Sequence, residues 1–142
     1  MGADMAVGDW GRRDGDAVVR TRIVVVEDEF LIGLDVSQQL SAAGFEIVAL
    51  ATSVDKARHL VAREAFDVAV LDINLGGETA EPVARDLQAA GKPFILLTGY
   101  STEKTFPWGQ GAAVLTKPPR IDDLIAAIRA VAPPEPAAAA PP

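Results

Sequence analysis

The chain has 142 residues, no cysteine and a formal net charge of −7 at pH 7. Disulfides, thiolate metal sites and cysteine nucleophiles are therefore excluded, and direct nucleic-acid binding, which rests on Lys and Arg neutralising phosphates, is not expected. No run approaches the roughly 18 apolar residues of a membrane span and residues 1–20 lack the apolar core of a signal peptide, so a cytoplasmic protein with no membrane partner is expected.

Residues 1–21 scatter glycines and alternating charges around Trp10 without a stable period and read as a flexible leader. Arg22-Ile23-Val24-Val25-Val26 is a β-branched run, the pattern of a strand buried on both faces, and it ends on Glu27-Asp28-Glu29. Residues 30–43 place Leu31, Leu34 and Leu40 near helical spacing, and Gly44 stops the helix. Residues 45–51 form a second strand. Ser53 is placed to cap a helix running to about Glu64, with Ala57, Leu60 and Val61 on one face.

Residues 66–71 form the third strand, and Asp72 follows it. After Gly76-Gly77 a helix is expected over residues 78–90, with Val83, Leu87 and Ala90 inward and Pro82 in its first turn, where a missing N–H costs nothing. Residues 93–97 and 112–116 are the fourth and fifth strands. Ile121, Leu124, Ile125 and Ile128 give the buried face of a final helix over residues 121–131. Between Gly99 and Gly111 the pattern supports no full helix, so the fourth helix is expected to be reduced or irregular. The Pro/Ala tail at 133–142 cannot build a core and reads as disordered. The domain is thus expected over residues 22–132: an α/β fold, doubly wound, with a five-stranded parallel sheet in the order 2-1-3-4-5.

In such a sheet the C-terminal strand ends share one edge. Strand one delivers Glu27 and Asp28 there, strand three Asp72, strand four Thr98 and strand five Lys117. Carboxylates this close repel by about 4 kcal/mol per pair at an effective dielectric near 20, so a cation is expected among them. Mg²⁺ fits, because it takes hard oxygen ligands and keeps waters that phosphate oxygens can replace. Asp28 and Asp72 are read as direct ligands, Glu27 as a more distant anion, and the Asn74 backbone carbonyl as a third ligand. Asp72 would attack phosphorus, Lys117 would neutralise the transferring group, and the Thr98 hydroxyl would donate to a phosphoryl oxygen.

The pairs Glu27-Asp28, Leu71-Asp72, Thr98-Gly99 and Lys117-Pro118, in this order and spacing, resemble the receiver domains of two-component response regulators. The resemblance covers roughly residues 22–131. It implies a flavodoxin-like fold, phosphotransfer to Asp72 from a histidine kinase or a histidine phosphotransfer protein, and a cis peptide between Lys117 and Pro118. One departure is Val114, where receivers usually carry Tyr or Phe three positions before the lysine. Residues 93–100 are similar instead to the subfamily with a Phe-Ala-Thr-Gly-Tyr signature, with Leu96 and Leu97 in the Phe and Ala positions. That subfamily tends to have a weak fourth helix and to work with kinases of the HWE type, so Tyr100 and residues 101–110 are expected to replace the aromatic switch.

Rival readings are weaker. A phosphatase using an aspartyl nucleophile wants a second acid two residues on, and that position is Asn74. A flavin carrier would need a phosphate-cradling loop where Glu27-Asp28-Glu29 stands. His59 has no second ligand nearby and reads as solvated. Trp108 is either a loop anchor or a partner contact. Because only Pro and Ala dominate after Val131, a single-domain receiver is expected: a relay, a phosphate sink for a shared kinase or an allosteric binder. The non-enzymatic alternative is a receiver-shaped module that binds regardless of phosphorylation.

Overall fold

A computed structural model describes residues 20–99, 107–109 and 112–134. The chain forms β1 (Arg22–Val26), α1 (Phe30–Ala42), β2 (Glu46–Ala51), α2 (Val54–Arg63) and β3 (Val68–Asp72). Next come the short strands β4 (Asn74–Leu75) and β5 (Glu78–Thr79), then α3 (Glu81–Ala89), β6 (Phe94–Thr98), a 3₁₀ turn (Pro107–Gly109), β7 (Ala113–Thr116) and α4 (Ile121–Val131). The five longer strands pair in parallel in the order β2-β1-β3-β6-β7. Counting those five alone, this is the expected order 2-1-3-4-5.

The β-branched strands are buried on both faces because alternate residues serve two separate cores. Val24, Val26, Ala69, Leu71 and Leu96 face the layer of α2 and α3 and pack with Ala57, Val83 and Leu87. Ile23, Val25, Val70, Ile95 and Leu97 face the layer of α1 and α4 and pack with Val36, Leu40, Leu124 and Ile128. The sheet is therefore sandwiched, and its C-terminal edge is where polar side chains can emerge.

Several boundaries differ from expectation. The Ser53 hydroxyl caps α2 as foreseen, accepting from the Lys56 N–H at 3.2 Å. On α1 the buried residues are Gly33, Val36, Ser37 and Leu40, while Leu31 is 76% and Leu34 37% exposed. Leu31 and Leu34 thus mark an outward ridge, and of the three leucines only Leu40 faces the core. Ala90 lies past the end of α3 and is exposed, and Ala84 takes the inward position. The helix expected from residue 78 starts at Glu81, because residues 74–79 first form an antiparallel hairpin. Gly76 and Gly77 allow it: their φ values of +62° and +88° suit a two-residue turn that needs the left-handed region twice.

Between β6 and β7 the described residues hold only the 3₁₀ turn, in keeping with a reduced fourth helix. Tyr100 and residues 101–106, 110 and 111 lie outside the described residues, as do Trp10, most of the expected leader and residues 135–142 of the expected tail. Among the described residues no helix is long and apolar enough to cross a membrane.

Candidate functional site

The chain leaves β1 toward β2 on one side and reaches β3 on the other, so the order reverses between β1 and β3. The crevice beyond those two strand ends is where open α/β sheets hold ligands. Backbone hydrogen bonds place the groups there. The Glu27 N–H donates to the Ala51 carbonyl at 3.0 Å, the Ile73 N–H to Leu97 at 3.0 Å and the Lys117 N–H to Thr98 at 2.7 Å, extending the ladder past each strand. The Lys117–Pro118 peptide is cis, as the family resemblance implied.

Carboxylate oxygens of Glu27, Asp28 and Asp72 lie within 4.8 Å of one another. Lys117 joins two of them: its Nζ donates to Glu27 Oε1 at 2.9 Å and to Asp72 Oδ2 at 3.0 Å. Glu27 and Asp72 are almost completely buried, at 2% and 4% exposure, and Thr98 is buried beside them at 1%. Backbone donors hold three further oxygens: Glu29 N–H to Glu27 Oε2 at 3.1 Å, Asn74 N–H to Asp72 Oδ1 at 3.3 Å and Gly76 N–H to Asp28 Oδ2 at 3.1 Å.

Burial pushes the Glu27 carboxyl up to about 7, against the hydrogen bonds from Lys117 and the Glu29 N–H, and the Asp72 charge adds to the rise. Asp28 goes the other way. Burial opposes its charge, but hydrogen bonds from Glu27 and from the Gly76 N–H outweigh it and hold the group below the usual carboxylate range. Burial disfavours the Lys117 ammonium, yet hydrogen bonds to Glu27 and Asp72 raise its pKa above the ordinary lysine value.

The donor set suits a hard divalent cation: all oxygen, acidic and clustered. Both Glu27 oxygens already accept from protein donors. Asp28 and Asp72 each keep acceptor capacity, since a carboxylate offers about four lone-pair sites.

The structure thus gathers Glu27, Asp28, Asp72, Thr98 and Lys117 at one edge. Asn74 is exposed on the hairpin and reaches the site through its backbone N–H. Sequence reasoning expected the carboxylates to need an added cation and overlooked that Lys117 already bridges two of them. It also missed the Gly76 contact, although a Gly-Gly pair between short strand-like segments is a hairpin signal. Trp108 falls on the anchor side of its two readings: the side chain packs on the α2/α3 core and its carbonyl accepts from Gln88 Nε2 at 2.8 Å.

The family model for the response regulator receiver domain matches residues 23–129. The transcriptional regulatory protein PdtaR of Mycobacterium tuberculosis is 33% identical over 122 residues, covering 81% of this chain and 58% of that protein. The chain therefore spans little more than half the length of that curated relative. Among solved structures, SdrG from Sphingomonas melonis Fr1 is 34% identical, with a TM-score of 0.69 over 81% of this chain and 98% of that one. The response regulator PhyR from Brucella abortus is 28% identical, with a TM-score of 0.68 over 80% of this chain and 48% of that one.

The buried carboxyl has a measurable consequence. In the fold Glu27 keeps its proton to about pH 7, whereas unfolded it ionises near its ordinary value of 4.5. The folded state binds the extra proton between those values, so this group's contribution to stability falls as pH rises from about 4.5 to about 7. In metal-free buffer Glu27→Gln should remove that slope, and urea unfolding of both proteins at pH 5, 6 and 7 measures it. Parallel pH profiles for the two proteins would count against a protonated Glu27.

Proposed function

The chain belongs to the family of response regulator receiver domains, and from that premise we propose that it takes a phosphoryl group onto Asp72. Members of this family act as phosphoacceptors in two-component signalling, served by a histidine kinase or a phosphotransfer partner, rather than as enzymes with a separate substrate. Residues 22–132 are the receiver unit in this reading, acting in the cytoplasm. The observation that carries it is the convergence of Asp72 with Lys117, Thr98 and two further acids at the sheet's switch point.

An Asp72 carboxylate oxygen forms the new bond to phosphorus while the bond from phosphorus to the donor histidine nitrogen breaks. The nitrogen keeps that electron pair. Mg²⁺, held by Asp28, Asp72 and the Asn74 carbonyl with Glu27 behind, would neutralise charge on the transferring group. Lys117 lies within hydrogen-bond reach of Asp72 and can pass from carboxylate to phosphoryl oxygen without leaving Glu27. The Thr98 hydroxyl, at the end of β6, is the second donor to the phosphoryl group.

A protein donor must cover the mouth of this crevice. Phe30, 56% exposed, and Leu31 form an apolar ridge at the start of α1. Leu31 and Ile32 line an open cavity of about 560 Å³ together with Lys117 and Pro118. The ridge is continuous with the phosphoacceptor site, which makes it the docking surface for the kinase in this reading. An HWE-type donor rests on the partial signature at residues 93–100 alone.

Phosphorylation is reported through Tyr100 and residues 101–110. Support comes from the flanks, where Val114 of β7 and the Trp108 turn pack on the same core layer and no aromatic stands at 114.

Three measurements test these statements. Incubation with Mg²⁺ and acetyl phosphate should add the roughly 80 Da of one phosphoryl group, mapped to Asp72 and absent in Asp72→Asn. A receiver-shaped module that binds regardless of phosphorylation predicts no adduct. Leu31→Glu should slow phosphotransfer from an HWE-type kinase about tenfold or more, as for an interface anchor worth over 1 kcal/mol, while labelling by acetyl phosphate stays at the wild-type rate. Equal slowing with both donors would remove the docking role. Relaxation-dispersion NMR should show exchange in residues 100–110 that changes on phosphorylation; identical profiles in both states would end the switch proposal.

A further inference from the structure

Asp28 follows β1 and Asp72 ends β3, and the element that touches both is the hairpin of residues 74–79, exposed except at the buried Leu75. Its Gly76 N–H donates to Asp28 Oδ2 across 48 positions of sequence, and its Asn74 N–H donates to Asp72 Oδ1. The root of the hairpin is fixed, because the Ala80 N–H closes onto the Ile73 carbonyl at 2.8 Å and both residues are buried. Beyond Ala80, α3 is locked to the core through Val83, Ala84 and Leu87. The hairpin therefore has a rigid base and a tip that reaches back over the crevice.

We propose that this hairpin is a positioning element for the cation site, with the Gly76 N–H orienting Asp28 before the cation arrives. The inference rests on the reading of Asp28 and Asp72 as the residues that hold Mg²⁺. Glu27 also hydrogen-bonds Asp28, and the Gly76 N–H adds a backbone donor fixed by the hairpin; ordering the aspartate beforehand removes that cost from binding. These bonds leave the carboxylate, with about four lone-pair sites, further acceptor capacity, so orientation and ligation do not compete. Gly76 touches Asp28 and not the phosphoryl group; its role is positional.

The geometry also says what position 76 tolerates. A Cβ there would meet nothing within 4 Å, so space is no limit, and the positive φ is what selects the residue. Asn adopts the left-handed region readily and suits this turn type, Ala does so poorly and a β-branched residue worst. Gly91 is a control far along the chain, past the end of α3: it too is left-handed, at +69°, and open around its Cβ.

The test is calorimetric titration of Mg²⁺ into the full chain and its variants, with urea unfolding to confirm that each one folds. Gly76→Asn should bind within about twofold of wild type, and Gly76→Val should lose about tenfold, equivalent to about 1.4 kcal/mol, with Gly76→Ala between them. Gly91→Val should lower stability and leave Mg²⁺ affinity unchanged. A Gly76→Val protein that binds within twofold of wild type overturns the proposal. So does a Gly91→Val protein that loses as much affinity as Gly76→Val, or a Gly76→Ala protein that falls outside the order should Gly76→Val not fold. Wild type taking up no Mg²⁺ would instead sink the cation reading itself, and the positioning role with it.

Discussion

The Lys117 ammonium, 2.9 Å from Glu27 and 3.0 Å from Asp72, is the contact on which the site depends. Three acids packed within 4.8 Å cannot all stay charged around a single lysine at neutral pH without strain. The fold answers in two ways. Lys117 compensates one charge, and burial leaves Glu27 with a carboxyl that holds its proton to about pH 7. One negative charge remains, and a divalent cation would more than balance it. The cluster is therefore suited to exchanging a proton for a metal ion, since ligation favours the ionised carboxylate.

Such a cluster is a poor device for stability. Burying ion pairs costs desolvation that their attraction often fails to recover. The scaffold's stability lies elsewhere, in the two apolar layers on either side of the sheet. Because β1, β3 and β6 are almost wholly buried, they hold their ends rigidly, and a carboxylate or hydroxyl one residue past the apolar run inherits that position. Placement by strands rather than by a long loop is what lets groups from residues 27, 72, 98 and 117 meet with little freedom left to lose.

Much of this was legible in the sequence because the physics was local. β-branched runs ending on acids gave the strands and the edge, and Ile121, Leu124, Ile125 and Ile128 gave α4 with its bounds correct. The acidic pair, Asp72, Thr98 and Lys117 were each readable as strand-end groups, and parallel pairing did the rest. What escaped were features set between elements. The bridging geometry of Lys117 depends on the separation of β7 from β1 and β3, which no local pattern encodes. The hairpin at 74–79 has strands of two residues each, too short to show alternation.

The buried face of α1 shows how such a nonlocal feature shapes the site. Leu31 and Leu34 stand at helical spacing but outside, and the helix turns Gly33 toward the sheet. A Cβ at Gly33 would sit 2.6 Å from Leu50 Cδ1 and 3.3 Å from Glu27 Cβ, so a side chain there would have to displace the tip of Leu50 and would crowd the stem of Glu27. A glycine inside a helix costs about 1 kcal/mol relative to alanine, and the return is geometric. The helix backbone comes down against the stem of Glu27, whose carboxyl is buried and raised to about 7. Turning Gly33 inward also rotates Leu31 outward, beside the mouth of the crevice. The close approach to Glu27 within and the apolar ridge outside are thus two consequences of one helix orientation.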